Sequence, residues 1–461
     1  MSMSEAILKQ DKERTFALIE KGEHMNEIDI HGFTPLIEAA IVNDLDVVKK
    51  LISYGANVNM RDLTGGTALH WAVENNNYAL SELLLDQGAD PNAYSRSGQP
   101  ILVQPLLRRQ QNLKELLYRY GADLRFAQDY ISLKLIGHRF ELVGKIDVVD
   151  HKNTFIEIDF EGFIVEFTLS VILESLVQLK NNFAGRLLRP YFDDIEAVID
   201  AFVTACELNR YQHYLTNRHI HQHMHRLATL SKSPHLILPV GYEGHAITFV
   251  KCGDLFAKCD RGANSLKHPS VEIFRIGRPE RFNADFLKTL LYTRQNRHFV
   301  TEGIVQTLEL THVAEIKLAS QLTGNCSWAN VEATIPALIL MRWLQKNPNP
   351  DSADLIYHPK KAHYIYTRWL EWDKDWALHR CIESFYDASP ARKASRAAAL
   401  AAVLAQTCQH QYPEDMVRSN KILAVLATPE YRYVLDSYLK IYKDTLIAHN
   451  LQELIDLYGR S

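Results

Sequence analysis

The sequence predicts a multidomain α+β chain in three parts: a helical-repeat solenoid, an α+β domain and a helical C-terminal region. Three observations carry this. Gly22, Gly55, Gly88 and Gly121 recur at intervals of 33 residues. Strand-like runs, in which apolar and polar residues alternate, cluster at 139–169 and 234–260. From about Asp351 the apolar spacing is helical. The expected boundaries are 1–127, 128–350 and 351–461, with 139–169 a β-rich insert or cap of the middle domain.

The four glycines sit in similar phrases: KGEHMN, YGANVN, QGADPN and YGADLR. Thr34 and Thr67, also 33 apart, open TPLIEAA and TALHWAV. Both threonines suit a helix N-cap, and Pro35 suits the first turn. Leu36, Ala39 and Ala40, then Leu69, Ala72 and Val73, recur at helical spacing and should pack between repeats. Gly55 and Gly88 follow the second helix, where a left-handed C-cap is needed. Asp29–Gly32, Asp62–Gly65 and Ser95–Gly98 supply turns at hairpin tips. This pattern resembles the ankyrin-repeat family over about 1–127, as four repeats with atypical ends. Residues 4–30 lack the TPLH phrase, and the fourth repeat carries a second proline, Pro105. The resemblance implies a solenoid that binds a protein partner. His31, Arg61, Tyr94 and Arg96, at or beside the tips, are candidate contacts; each could equally be a solvated turn residue.

Residues 139–169 read as strands, with alternation in Thr154–Ile158 and Gly162–Phe167 and a turn at Glu161–Gly162; helical spacing returns at Ser170–Lys180. His219, His221, His223 and His225 alternate along 211–226. On a helix they form i,i+4 pairs, a spacing zinc sites use. Their helical flanks make a solvated polar face the expectation, and no metal is assigned.

His235–Val240, His245–Val250 and Leu255–Asp260 read as strands, with Gly253-Asp254 a two-residue hairpin turn. That turn sets residues whose numbers sum to 507 opposite one another. His245 and Asp260 then become diagonal neighbours on one face. A carboxylate there fixes the imidazole tautomer and stabilises imidazolium. Gly324-Asn325 breaks the chain before a helical run that starts around Cys326–Trp328. A helix N-terminus and a nearby imidazolium both favour a thiolate at Cys326. Gln321, on the approach loop, offers its amide to an oxyanion. These four side chains are what acyl transfer through a thioester requires. Each also has a structural alternative: Cys326 a small buried thiol, His245 a satisfied core histidine. Cys252 and Cys259, on the hairpin itself, are expected to be packing residues.

The order His245, Asp260, Gln321, Cys326 is similar to that of the adenain and ubiquitin-like-protein protease class of cysteine peptidases. The phrases QLTGNCSWA and GHAITF look more like papain-type enzymes. Over about 120 residues, the resemblance implies a papain/adenain-like cysteine-protease-like α+β domain. It makes Cys326 the nucleophile, His245 the general base and acid, Asp260 its orienter and Gln321 the oxyanion donor. There are departures. Asn325-Cys326-Ser327 stands where the adenain class has an acidic residue and then Cys-Gly. The papain order of Cys before His is reversed. Pro336 falls inside the expected nucleophile helix and should kink it. A catalytically silent or repurposed domain is the alternative.

In the C-terminal region, Ile365, Trp369, Trp372 and Trp376 fall on one helix face and are expected to be a packing stripe. Lys and Arg total 51 against 55 Asp and Glu, a net charge of -4, which argues against a nucleic-acid or anionic-membrane binder. The longest apolar run, Ala397–Ala405, is far short of a membrane helix. The first residues have no apolar core of a secretory signal, and the six cysteines form no CxxC pair.

An ankyrin array joined to a cysteine-protease-like domain resembles the ankyrin-repeat effectors that intracellular bacteria such as Legionella deliver into host cells by type IV secretion. The resemblance implies a host-directed virulence protein acting in host cytosol or nucleus. The expected function is a thiol hydrolase or acyl transferase whose ankyrin surface binds a host protein. The alternative is a non-enzymatic interaction scaffold. No cofactor, no metal, no membrane and no direct nucleic-acid contact are expected, and the chain is expected to be a monomer.

Overall fold

The computed structural model of the chain describes residues 2–22, 25–210, 220–262, 269–321 and 324–459, apart from the side chains of 184, 210 and 220–223. The chain divides into two units. One comprises Met1–Lys134, Lys145–Asp159 and Phe385–Ala399; the other comprises Leu135–Gly144, Phe160–Ser384 and Leu400–Ser461.

The first unit begins with four helix pairs: α1 (Met3–Leu8) and α2 (Lys12–Glu20), α3 (Pro35–Ile41) and α4 (Leu45–Ser53), α5 (Ala68–Glu74) and α6 (Tyr78–Asp86), α7 (Val103–Leu107) and α8 (Gln111–Arg119). Thr34 Oγ1 accepts from the Ile37 amide at 3.3 Å, and Pro35 takes the first helical position. Thr67 and His70 form a reciprocal capping box. A ladder of asparagines ties one repeat to the next. Asn26, Asn59 and Asn92 accept from the amides of Asn57, Asp90 and Asp123 at 2.7, 2.8 and 2.7 Å. Their amide groups donate to the carbonyls of Gly55, Gly88 and Gly121. The period of 33 residues is thus a repeating polar bond, not only a repeating apolar face.

α9 (Leu124–Arg139) follows the repeats, and β1 (Lys145–Val149) pairs antiparallel with β2 (Phe155–Asp159). This hairpin, expected in the middle domain, lies in the first unit. Gly98 allows the approach: a Cβ there would stand 2.4 Å from Ile158 Cγ2. The buried Arg392 pairs with Asp123 at 2.9 Å and also with Asp129, which explains why 385–399 joins this unit. The expected strand over Gly162–Phe167 is corrected: α10 runs Val165–Asn181. Phe163, just before the N-cap Ile164, packs on Phe167 in the first turn, with ring centroids at 5.8 Å. The short run fitted both periods, and tertiary packing chose the helical one.

In the second unit, β3 (His235–Tyr242), β4 (His245–Cys252), β5 (Leu255–Cys259), β6 (Val271–Arg275) and β7 (Thr311–Ile316) form one antiparallel sheet in sequential order. On one face Leu238, Ile247, Phe249 and Phe256 share a core with α12 (Ile220–Leu230) and α13 (Ala284–Tyr292). α14 (Ile304–Leu308) closes that core before β7. α11 (Phe192–Arg210) packs on β3, while α15 (Cys326–Glu332) and α16 (Thr334–Lys346) pack on β4. The expected single helix is interrupted at Ala333: α15 ends after seven residues, and Pro336 falls in the first turn of α16, where a proline is tolerated.

Among the described residues five further helices follow: α17 (Asp354–Tyr386), α18 (Pro390–Thr407), α19 (Pro413–Leu426), α20 (Arg432–Ile441) and α21 (Leu446–Tyr458). On α17, Ile365 and Trp369 are buried, and Trp372 stacks on Trp376 at 5.8 Å. No described helix is long and apolar enough to cross a membrane.

Candidate active site

The β4–β5 hairpin turns at Gly253-Asp254, with Gly253 in the left-handed region at φ 58°. A Cβ at Gly253 would strike the Gln345 amide, whose Nε2 donates to the Cys252 carbonyl at 3.1 Å. Cys252 pairs with Leu255 and Thr248 with Cys259, so facing residues sum to 507 as the turn required. His245 and Asp260 therefore share a face at the open end of the hairpin. His245 Nε2 lies 3.2 Å from Asp260 Oδ1. The Gly262 amide donates to the same oxygen at 3.0 Å. Burial alone would raise the Asp260 carboxyl, but the hydrogen bonds from His245 and Gly262 outweigh it and hold the carboxyl below its ordinary value.

Cys326 begins α15, next to the start of β4. The Ala246 amide donates to its Sγ at 3.4 Å. A hydrogen bond from His245 lowers the thiol pKa against the opposing effect of burial, with the Ala246 and Ser327 amides adding to it. His245 is pushed up to about 9, first by Asp260 and then by Cys326. Both shifts run toward the charged forms, a thiolate at Cys326 and an imidazolium at His245. Three other thiols behave oppositely: burial pushes Cys252 up to about 12, Cys408 up to about 11, and Cys259 up as well. Asn325 does not cap α15 with its side chain; its Oδ1 bonds His138 Nδ1 at 2.5 Å, and His138 stacks on Trp328.

Sequence reasoning missed Asn330. It is fully buried one helical turn after Cys326. Its Oδ1 accepts from the Arg261 amide at 2.6 Å, and its Nδ2 donates to the Ala246 carbonyl at 2.6 Å. It thus ties the helix that begins at Cys326 to both strand ends that carry His245 and Asp260. Arg261 was missed too. Its buried guanidinium reaches Glu332 at 3.3 Å, Glu141 at 3.0 Å and the Ala319 carbonyl at 2.8 Å. Glu332 also accepts from Trp328 Nε1 and the Tyr366 hydroxyl, and burial raises its carboxyl to about 7. Only the i,i+4 spacing of Cys326 and Asn330 was a signal in the sequence; Arg261 had none.

Gln321 hydrogen-bonds through its backbone amide to the Arg261 carbonyl at 2.9 Å, one residue beyond Asp260. Its side-chain Oε1 is buried and, among the described residues, receives no hydrogen bond. Beside the pair, a cleft of about 440 Å³ is lined by Tyr242, Phe249, Phe256, Lys258, Asp260 and Arg297 among others. Tyr242 meets His245 edge-on at 5.4 Å.

Residues 3–95 match the family of ankyrin repeats, as three copies. No curated protein matches the chain. The solved structure of the Legionella effector AnkH is similar over the whole length, at 44% identity, with 100% of this chain and 97% of that one covered and a TM-score of 0.85. The chain belongs to the AnkH family.

In this AnkH-family chain the other candidate residues are dispersed. His31, Arg61 and Arg96 are exposed at the repeat tips. Tyr94 is half-buried, stacked edge-on against Phe126 at 5.9 Å with the Arg61 guanidinium 5.1 Å from its ring. Tyr94 is therefore partly a packing residue. His219, and the side chains of His221 and His223, lie outside the described residues; His225 is exposed. No group of metal-ligating side chains occurs among the described residues.

Proposed function

We propose that this AnkH-family chain is delivered by type IV secretion into a host cell, where its ankyrin array selects a protein and Cys326 performs acyl chemistry on it. The second unit is read as a cysteine-protease-like domain, in which a sheet supplies His and Asp and a helix start supplies Cys. The observation that carries the reading is the His245–Asp260 contact at 3.2 Å, with Cys326 Sγ accepting the amide of Ala246, the residue next to His245, at 3.4 Å.

In this reading the Cys326 thiolate attacks a carbonyl carbon. The tetrahedral oxyanion is met by the Gln321 amide. His245 imidazolium gives its proton to the leaving group as that bond breaks, leaving an acyl thioester and a neutral imidazole. Neutral His245 then takes a proton from water, or from an acceptor amine, as it attacks the thioester. The thiolate leaves and the imidazolium is restored. Asp260 holds the ring and stabilises its charge without itself becoming protonated. Asn330 is a positioning residue that acts through the backbone of Ala246 and Arg261.

The test is a thioester trap. The full chain is mixed with p-nitrophenyl acetate and its cysteine peptides are examined by mass spectrometry. The expected result is transient acetylation of Cys326, lost in His245→Ala. Acetylation spread evenly over the six cysteines, or none at all, would favour the non-enzymatic scaffold.

A further inference from the structure

The second repeat contains a carboxylate pair that the third repeat does not. Glu38 on α3 is 1% exposed, and among the described residues its Oε2 receives no hydrogen bond. Ser4 Oγ contacts Asp29 Oδ2 at 3.0 Å and also Glu38 Oε1. A hydroxyl has one proton, so it cannot satisfy both carboxylates. Asp29 Oδ1 is occupied by the amides of His31 and Phe33 at 3.0 and 2.8 Å. One repeat later, 33 residues on, Asp62 takes the place of Asp29 and Trp71 that of Glu38. There the Trp71 indole donates to Asp62 Oδ2 at 3.1 Å. The second repeat thus has a second acid where the third has an indole donor. Burial first, and then the charge and hydrogen bond of Asp29, raise the Glu38 carboxyl to about 7, so ionising both acids is costly without a cation.

This pair lies in a groove of about 560 Å³ between α1 and the 27–33 loop. Its lining holds four carboxylates, Glu5, Glu27, Asp29 and Glu38, and among the described residues no lysine or arginine. Glu5 is paired with Lys9 at 2.7 Å, outside the lining. The rim is aliphatic and open: Ile30 is 94% exposed, Leu8 48% and Ile28 44%. Acid at the floor and aliphatic side chains at the rim complement a basic residue with apolar neighbours.

We propose that this groove binds a basic peptide segment of a partner protein, with a lysine or arginine side chain donating to Glu38 and Asp29 and its apolar neighbours resting on Leu8, Ile28 and Ile30. The proposal rests on the ankyrin array being the partner-binding surface and not on the chemistry of Cys326.

The test is fluorescence anisotropy on the full chain, with a labelled pentapeptide carrying a central lysine between leucines and its norleucine analogue. The lysine peptide should bind at least about tenfold more tightly than the norleucine one, the difference expected of a hydrogen bond to a charged group. Glu38→Gln, which keeps the shape, should remove that difference. Ile30→Ser, at a solvent-exposed position that folding does not need, should weaken the lysine peptide too, and it decides the matter if Glu38→Gln misfolds. Cys326→Ala should leave the titration unchanged. Equal affinity for the two peptides, no binding by the wild type, or full binding by Ile30→Ser would overturn the proposal while leaving the reading of Cys326 intact.

Discussion

Asn330 Oδ1 accepts the backbone amide of Arg261 at 2.6 Å, across 69 residues of sequence. With its other arm on the Ala246 carbonyl, this one side chain holds the helix that begins at Cys326 against both strand ends of the candidate site. Asn330→Ala strands two buried backbone groups. It should cost about 1–3 kcal/mol of stability. It should also slow Cys326 alkylation even at temperatures where the variant is folded. Urea titration gives the first quantity and peptide-resolved alkylation the second.

Asp260→Asn should lower the pKa of His245. In the wild type that pKa is raised from 6.5 to about 9, by Asp260 first. The stabilisation from this group is therefore complete below pH 6.5 and is lost as pH rises through 9. In the variant that loss should come at lower pH, and the Cys326 thiol should become less acidic. The pH profile of thermal melting, with the profile of Cys326 alkylation, checks both.

Removing Arg261 leaves Glu332 buried among Trp328, Tyr366 and neighbouring acids. Arg261→Ala should cost about 3–5 kcal/mol, the usual penalty for breaking a buried pair from one side. Glu332 already titrates near 7, and loss of the guanidinium raises it further. The uncharged form of Glu332 is tolerated and the charged form is not. The stability gap between wild type and variant should therefore be wider at pH 8 than at pH 5. A smaller gap at pH 8 would contradict this account of the network.

In the repeats, Asn92→Ala removes the bonds to Asp123 N at 2.7 Å and Gly121 O at 2.9 Å. The side chain is buried, so the expected cost is about 1–3 kcal/mol. A substitution at Asn75, which bonds the Ala40 and Ile41 carbonyls, is a useful comparison because it too crosses between repeats. Differential scanning calorimetry should show the loss for Asn92→Ala.

Local patterns in the sequence made part of this structure readable. The ankyrin array was legible because its polar ladder and its apolar faces share one period. The neighbourhood of His245 and Asp260 was legible because a two-residue turn at Gly253 fixes register by counting. Asn330 was not legible, since its partners are backbone groups far away in sequence. The run over Gly162–Phe167 fitted a strand as well as a helix until Phe163 met Phe167. The grouping of β1–β2 with the repeats depended on the bare backbone of Gly98 under Ile158, a tertiary contact with no local mark. Glu38 looked like an ordinary helical residue, and only alignment with Trp71 through the repeat exposes the missing donor.

The central claim is that Cys326 is a thiolate paired with His245. Its direct measurement is the alkylation rate of each cysteine against pH, by peptide mass spectrometry, in wild type and His245→Ala. The account predicts that Cys326 alone reacts at pH ~6, well below the ordinary thiol range, and that His245→Ala abolishes this. It also predicts that Cys252 and Cys259 stay inert until the chain unfolds. A Cys326 that reacts no faster than the other five, or one whose rate ignores the loss of His245, would contradict it.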